Sequence, residues 1–311
     1  MSITAAVLRS LAPIAINAAV LPTTGLRWSP GALDEAFSHS GNEFATHNRA
    51  PGADVRLTAT IPFWDAYNLI GWKSLLCTTL HVYEAKYVDA TRSSSSVHRR
   101  YALASSAVAH ATIRSVSLDG PRGLCMAEVE FLYLAAPGTA TTHPIAVTDN
   151  NALPALTAGP TLNSGGPITA LGTNYNGVLV SSLDTGNQLE SFSHAGDKYP
   201  TVAQYAGGVP VVRGTWMDPV GMLDAIGLEG AALAASPVTA LYFRDYSATT
   251  GELGLTGVKI VCSRGRIIPD GDLTSVNRGV DSIGFRITCL ADPSTPGTHP
   301  WVTTSGATVP T

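Results

Sequence analysis

The sequence predicts a mostly β chain of α+β character, built as two tandem homologous antiparallel β-sandwich or barrel domains, each with one short packed helix. Three observations lead there. A loose internal repeat with a period near 155 residues spans the chain. Its segments alternate apolar and polar residues at strand spacing. Asp-Gly turns separate strand-like runs that can pair as hairpins.

The repeat is clearest at Phe37-Ser38-His39-Ser40-Gly41-Asn42-Glu43-Phe44-Ala45-Thr46, which returns as Phe192-Ser193-His194-Ala195-Gly196-Asp197-Lys198-Tyr199-Pro200-Thr201. Gly52 to Gly71 matches Gly208 to Gly227, and Leu134-Ala135 with His143-Pro144 match Leu290-Ala291 with His299-Pro300. Solenoid units run roughly 20 to 50 residues, so this period is the length of a whole domain. The implied division is an apolar N-terminal arm (1–32), a first domain (33–147), a linker rich in Asn, Pro, Gly and Ser (148–166), a second domain (167–302) and a small polar tail (303–311) expected to be mobile.

Within the first repeat, Asp54 to Ile61 alternates as a half-buried strand, and a helix follows over Phe63 to Leu76. In the second, Val209 to Met217 is the matching strand. Asp218-Pro219 then supplies an N-cap and a proline at the first helical position, and Gly227 a stop. Strands resume at Thr79 to Tyr87 and Thr239 to Tyr246. Two further pairs complete the halves: Ala109 to Leu118 with Cys125 to Ala135, and Val258 to Ile268 with Ser282 to Ala291. Their turns are Leu118 to Gly123 and Pro269 to Asp272. The serine-rich stretch Thr91 to Ser106, with the basic run Arg92 to Arg100, reads as a long loop without a counterpart of equal length.

Composition limits the function. Charged residues are 14% of the 311, against about 25% in soluble domains, which suits a surface covered by neighbouring copies or a Ser/Thr-coated secreted or viral protein. The net charge of −4 arises in the second half, while no dense Lys/Arg stripe suggests a nucleic-acid clamp. An acidic second half is expected to face any channel. The four cysteines, Cys77, Cys125, Cys262 and Cys289, do not repeat between halves and form no CxxC, which indicates buried free thiols in a reducing cytoplasm. Residues 1–19, with Arg9 before an apolar run, faintly resemble a leader, but polar breaks favour an uncleaved strand or arm. No run approaches the ~20 apolar residues of a membrane span.

No catalytic, cofactor-binding or metal-ligating residue is assigned, and an enzyme is not expected. His39 and His194 repeat but lack HxxxH, HExxH or Cys/His company, so they read as turn-holding histidines; His143 and His299 read likewise. There is no GxSxG elbow, phosphate loop or GxGxxG. Glu128 and Glu130 share a strand face as a solvated or pore-facing row, and Gly284 and Arg286 replace them in the second half. Phe37/Phe192 and Phe44/Tyr199 read as core anchors of the shared turn rather than a ligand platform.

The order of apolar arm, S-H-[SA]-G-[ND] turn, strand, short helix and further strands resembles the tail tube (major tail) proteins of tailed bacteriophages, some of which fuse two tube domains in one chain. Gly196-Asp197-Lys198-Tyr199-Pro200-Thr201 is similar to G-D-x-Y-P-T turns of that family; Gly41-Asn42-Glu43-Phe44-Ala45-Thr46 departs from it. The resemblance implies a virion tail subunit assembled in the host cytoplasm. Three duplicated chains would make a ring, and rings would stack through the arm, Thr91 to Ser106 and the tail. Its partners would be itself and other tail proteins, with DNA only as non-specific cargo and no membrane span. Two alternatives stay open. One is another phage structural protein, such as a capsid decoration, baseplate or adaptor component. The other is a two-module carbohydrate-binding or adhesin protein, for which Trp301, near a terminus, is the tryptophan most easily exposed among Trp28, Trp64, Trp72 and Trp216.

Overall fold

The fold follows from where alternation is strictest. Val55, Leu57, Ala59 and Ile61 are fully buried and the alternate residues Arg56, Thr58 and Thr60 are not, so Val55–Pro62 must lie with one face on a core. A computed structural model describes residues 13–31, 35–37, 47–49, 53–85, 98–118, 123–138, 140–247, 249–270 and 282–310. Among these residues it is mostly β with two short helices, as expected.

The first half contains β1 (Ile14–Ile16), β2 (Ala19–Leu21), β3 (Gly25–Ser29), β4 (Glu35–Phe37), β5 (His47–Arg49), β6 (Val55–Pro62), α1 (Phe63–Ile70), β7 (Leu75–Cys77), β8 (Leu80–Ala85), β9 (His98–Leu103), β10 (Val108–Leu118), β11 (Cys125–Leu134) and β12 (Ile145–Asn151). The second contains β13 (Asn163–Ala170), β14 (Thr173–Tyr175), β15 (Val178–Asp184), β16 (Gln188–Phe192), β17 (Val202–Ala206), β18 (Val211–Trp216), α2 (Pro219–Ile226), β19 (Ala231–Leu233), β20 (Thr239–Tyr246), β21 (Leu253–Cys262), β22 (Gly265–Pro269), β23 (Ile283–Cys289) and β24 (Trp301–Thr308).

A ten-stranded antiparallel sheet runs β19-β22-β23-β18-β15-β10-β11-β6-β3, with β7 also paired to β10. Among the described residues, two five-stranded sheets, β12-β9-β8-β1-β2 and β14-β13-β20-β21-β24, and the hairpins β4–β5 and β16–β17 accompany it. Counting strands from the start of each half, both outer sheets have the order 2-1-8-9-12, and both parts of the wide sheet have 7-10-11-6-3. The inward residues of all three large sheets join one apolar cluster that includes Ile14, Leu57, Phe131, Phe243, Ile260 and Phe285. Trp28 of β3 meets Tyr101 of β9 at 5.3 Å between rings, and Tyr175 of β14 meets Trp216 of β18 at 4.4 Å. Such aromatic pairs tie each outer sheet to its part of the wide one.

Both helices end on a glycine. Gly71 (φ +71°) and Gly227 (φ +70°) adopt a conformation that costs other residues strain, and their N–H groups donate to Tyr67 and Leu223 carbonyls. Asp218 caps α2 by accepting from the Gly221 N–H at 3.0 Å, as its sequence indicates. The first helix is shorter than the expected 63–76, because Gly71 stops it and Leu75–Cys77 instead pairs with β10.

Other expectations shift in similar ways. The described part of the 1–32 arm, residues 13–31, lies largely in β1, β2 and β3, as strands of the two sheets of the first half, with β2 and β3 at their edges. Residues 148–151 of the linker extend β12, and 163–166 begin β13. Between them Thr157 bonds both ways with Val20, and the Thr161 N–H donates to Asp65. The tail read as mobile is strand through Thr308, since Thr303, Thr304, Ala307 and Thr308 pair with β21. The single strand expected over 258–268 is two, broken at 263–264 so that β21 and β22 enter different sheets. Within the supposed loop 91–106, His98–Leu103 is strand β9, and Arg99 pairs with Asp149. The two expected turns at 118–123 and 269–272 lie mostly outside the described residues. No helix among the described residues is long and apolar enough to cross a membrane.

Candidate assembly interface

The functional question is how the two halves meet, because they meet by a strand edge. Ser115, Val116 and Ser117 of β10 pair with Asp184, Leu183 and Ser182 of β15. The contact forms beside a bulge in β10 at Arg114, where the ladder to β11 slips between Ile113 and Ser115. A bulge frees main-chain groups from the ladder. Thr185 takes them: its N–H donates to the Arg114 carbonyl at 3.0 Å and its hydroxyl to that of Ile113 at 2.6 Å. Asn187, also buried, donates to the Trp72 and Ile113 carbonyls at 2.7 and 3.2 Å and accepts from the Tyr205 hydroxyl at 2.7 Å. Thr185 and Asn187 are therefore buried but satisfied, which is the condition for burying polar groups without a large cost.

Beside it, Trp72, just past α1 in the first half, enters the second. Its ring stacks on His299 at 5.5 Å, meets Trp301 edge-on at 4.9 Å, and its Nε1–H donates to Thr303 at 2.7 Å. The His299 Nδ1 accepts the Trp301 N–H at 3.2 Å, just as the His143 Nδ1 accepts that of Ile145 at 3.1 Å, so the two His-Pro pairs hold the same turn. Burial pushes the His299 imidazole down to about 4, and the Lys73 ammonium acts in the same direction.

In return, the β16–β17 hairpin of the second half lies on the first. Leu189 packs with Leu132 and Leu134, flanked by Val108, Ala203 and Tyr205. Below it, Glu130 bridges Arg56 and Arg114, with 3.0 Å to the latter, while Arg56 also holds Asp54 at 2.7 Å and donates to the Leu189 carbonyl at 3.0 Å. Ser191 donates to Asp54. At the hairpin's turn, the Ala135 N–H donates to the Pro200 carbonyl at 2.9 Å, and the Tyr199 N–H donates to the Ala140 carbonyl at 2.9 Å. The ring of Tyr199 stands against His143. Asp197 shapes this turn by accepting from the His194 N–H at 3.0 Å and the Thr201 hydroxyl at 3.2 Å; His194 Nδ1 sits 3.1 Å from that hydroxyl.

The same positions in the second half are uncovered. Trp72 is 6% exposed and its sequence counterpart Leu228 80%; Leu134 is 3% exposed and its counterpart Leu290 49%. Ala135 and Ala140 are buried, whereas Ala291 is half-buried and Pro296 exposed. Two open clefts flank His299 and Pro300. One, of about 680 Å³, is lined by Leu233, Arg264, Leu290, Asp292 and Val302; the other, of about 340 Å³, by Lys73, Tyr205, Ala291 and Pro296.

Of the residues singled out from sequence, His143, His194, Tyr199 and Glu130 meet at or near this junction, while His39 and Phe44 lie outside the described residues. Glu128 stays exposed on the same strand face. Trp301 is buried at 3%, so it offers no surface platform; the Trp72 and His299 rings cover it. All four cysteines are free and buried. The acidic face expected for the second half does not fall on its part of the wide sheet. There, Arg213 and Arg286 are direct cross-strand partners and Arg266 projects from the next strand on the same face. Trp72, Asn187 and Tyr205 carried no signal in the sequence, since each acts through a residue distant in the chain. Among the described residues, no group of His, Cys, Asp and Glu is arranged to hold a metal ion. No protein-family model matches the chain, and no curated protein is similar to it at a significant level.

Proposed function

We propose that the chain is a virion structural protein, a tail tube subunit of the duplicated-domain type that self-assembles into stacked rings around a channel for DNA. One observation carries the proposal: the wide sheet passes unbroken from one half to the other through β10 and β15. Halves joined edge to edge within a chain have the relationship that neighbouring subunits need in a ring. The common strand order supports reading them as two copies of one fold, so that three chains supply six tube domains.

The counterpart of the joined β15 edge is the outer edge of β3, which pairs only with β6 among the described residues. An exposed edge is a template for another chain, which monomeric proteins usually protect. The receiving strand would be β22, which has in the second half the place that β10 has in the first. A channel lined by the solvent face of this sheet would carry the Arg56, Arg114 and Glu130 cluster in one half and Arg213, Arg266 and Arg286 in the other. Its wall is thus mixed to basic, and passage of DNA would be sensitive to salt. Localisation in the virion tail, assembly in the host cytoplasm and contact with other tail proteins belong to the same proposal.

Negative-stain electron microscopy of concentrated protein at moderate salt tests it. Hollow tubes or stacked rings are expected. Monodisperse monomers at every concentration would refute the tube reading.

A further inference from the structure

The two ends of this chain are unequal in a specific way. In the first half, the surface around His143, Ala135 and Ala140 is covered by the 192–201 turn of the second half, with Tyr199 inserted, and Leu134 beside it is covered by Leu189 of β16. In the second half, the matching surface around His299, Leu290, Ala291 and Pro296 is open and carries two clefts. The chain has one further segment of the kind that covers such a surface: residues 37–46, the sequence counterpart of 192–201, with Phe44 at the position of Tyr199. It lies between the paired strands β4 and β5, as the 192–201 turn lies between β16 and β17.

We propose that the clefts beside His299 and Pro300 are a docking site for the segment 37–46 of a second copy of this chain, with Phe44 taking against His299 the place that Tyr199 takes against His143. The covered half is the template. Tyr199 is held there by a main-chain bond to Ala140 and by its ring, and Pro200 accepts from Ala135. In trans, Pro296 and Ala291 offer the corresponding carbonyl and N–H. Leu228, the counterpart of Trp72, would close against the second copy where Val147, the counterpart of Thr303, is 54% exposed. Burying these apolar side chains removes several exposed hydrophobic residues from water at once.

A contact between two different surfaces of the same chain is heterologous, so it propagates into a ring or a filament rather than closing as a dimer. The inference rests on the self-assembling reading above, yet it specifies which surfaces meet.

The test uses two full-length variants, Phe44→Asp, which keeps the cleft, and Leu290→Asp, which keeps the segment 37–46. Leu290 is half exposed, so its variant should fold; Phe44→Ser replaces Phe44→Asp if circular dichroism shows the latter unfolded. Each variant alone should lose every species above monomer in sedimentation velocity. Mixed in equal amounts they should yield a one-to-one dimer, because one intact junction remains. If wild-type protein forms tubes and the variants do so equally well, or the mixture stays monomeric, the docking site is refuted while the tube reading stands. If wild-type protein forms nothing above monomer, both are refuted.

Discussion

Tyr199 stands edge-on to His143, with ring centroids 5.1 Å apart and planes at 74°. One residue ends the first half and the other sits in a hairpin turn of the second, so this pair joins the halves in addition to the β10–β15 edge. Tyr199 is 6% exposed, and an edge-to-face pair adds about 0.5–1.5 kcal/mol to its burial.

Tyr199→Ala should therefore cost about 2–4 kcal/mol, through lost burial and the cavity left behind. The loss should be local at first. Hydrogen exchange at 188–206 should accelerate in the variant before exchange in β6 or β11 does. Equal acceleration everywhere would mean that the hairpin is not a separable clasp.

Asn187 is the polar centre of the seam. Asn187→Leu removes two bonds to the Trp72 and Ile113 carbonyls and strands the Tyr205 hydroxyl. Unpaired buried groups cost about 1–3 kcal/mol each, so a loss on the order of 3 kcal/mol is expected in urea unfolding. Tyr205→Phe in the same background should recover part of it, because the stranded hydroxyl is gone.

Acid should loosen the same region. His299 is held neutral by burial, with its proton affinity lowered from 6.5 to about 4. The unfolded chain therefore binds the proton first as pH falls. This stability is complete above pH 6.5 and is lost progressively toward pH 4, amounting to about 2 kcal/mol by pH 5. Burial lowers His81 and His110 as well, which adds in the same direction. Urea unfolding at pH 7 and pH 5 checks this, and His299→Gln should show a smaller difference between the two.

The thiols should be silent in the folded protein. Burial raises Cys77 to about 12 and raises Cys125 also, so these two carry little thiolate at pH 8, and burial keeps reagent away from Cys262 and Cys289. A thiol reagent should label all four cysteines in denaturant and well under one equivalent in native protein.

What was legible in the sequence was local. Strict alternation placed β6, and Asp218-Pro219 with Gly227 placed both ends of α2, because those signals act within a few residues. The helix overrun to Leu76 came from reading apolar spacing past Gly71. The strand character of Thr303 to Thr308 was hidden because small polar residues gain it only by pairing with β21. The interface was legible only in part. The repeated turn drew attention to Tyr199 and His143, but its partners Ala135 and Ala140 look like ordinary core alanines. Trp72 against His299 joins residues in opposite halves, which no local pattern encodes.

The central claim is that the join between halves is repeated between chains. Cryo-electron microscopy of assembled protein tests it most directly. Rings of three chains are expected, with six similar domains around one channel and the second half of each chain abutting the β3 edge and the segment 37–46 of the next. A closed two-fold dimer, or a ring in which the His299 clefts face solvent, would contradict it.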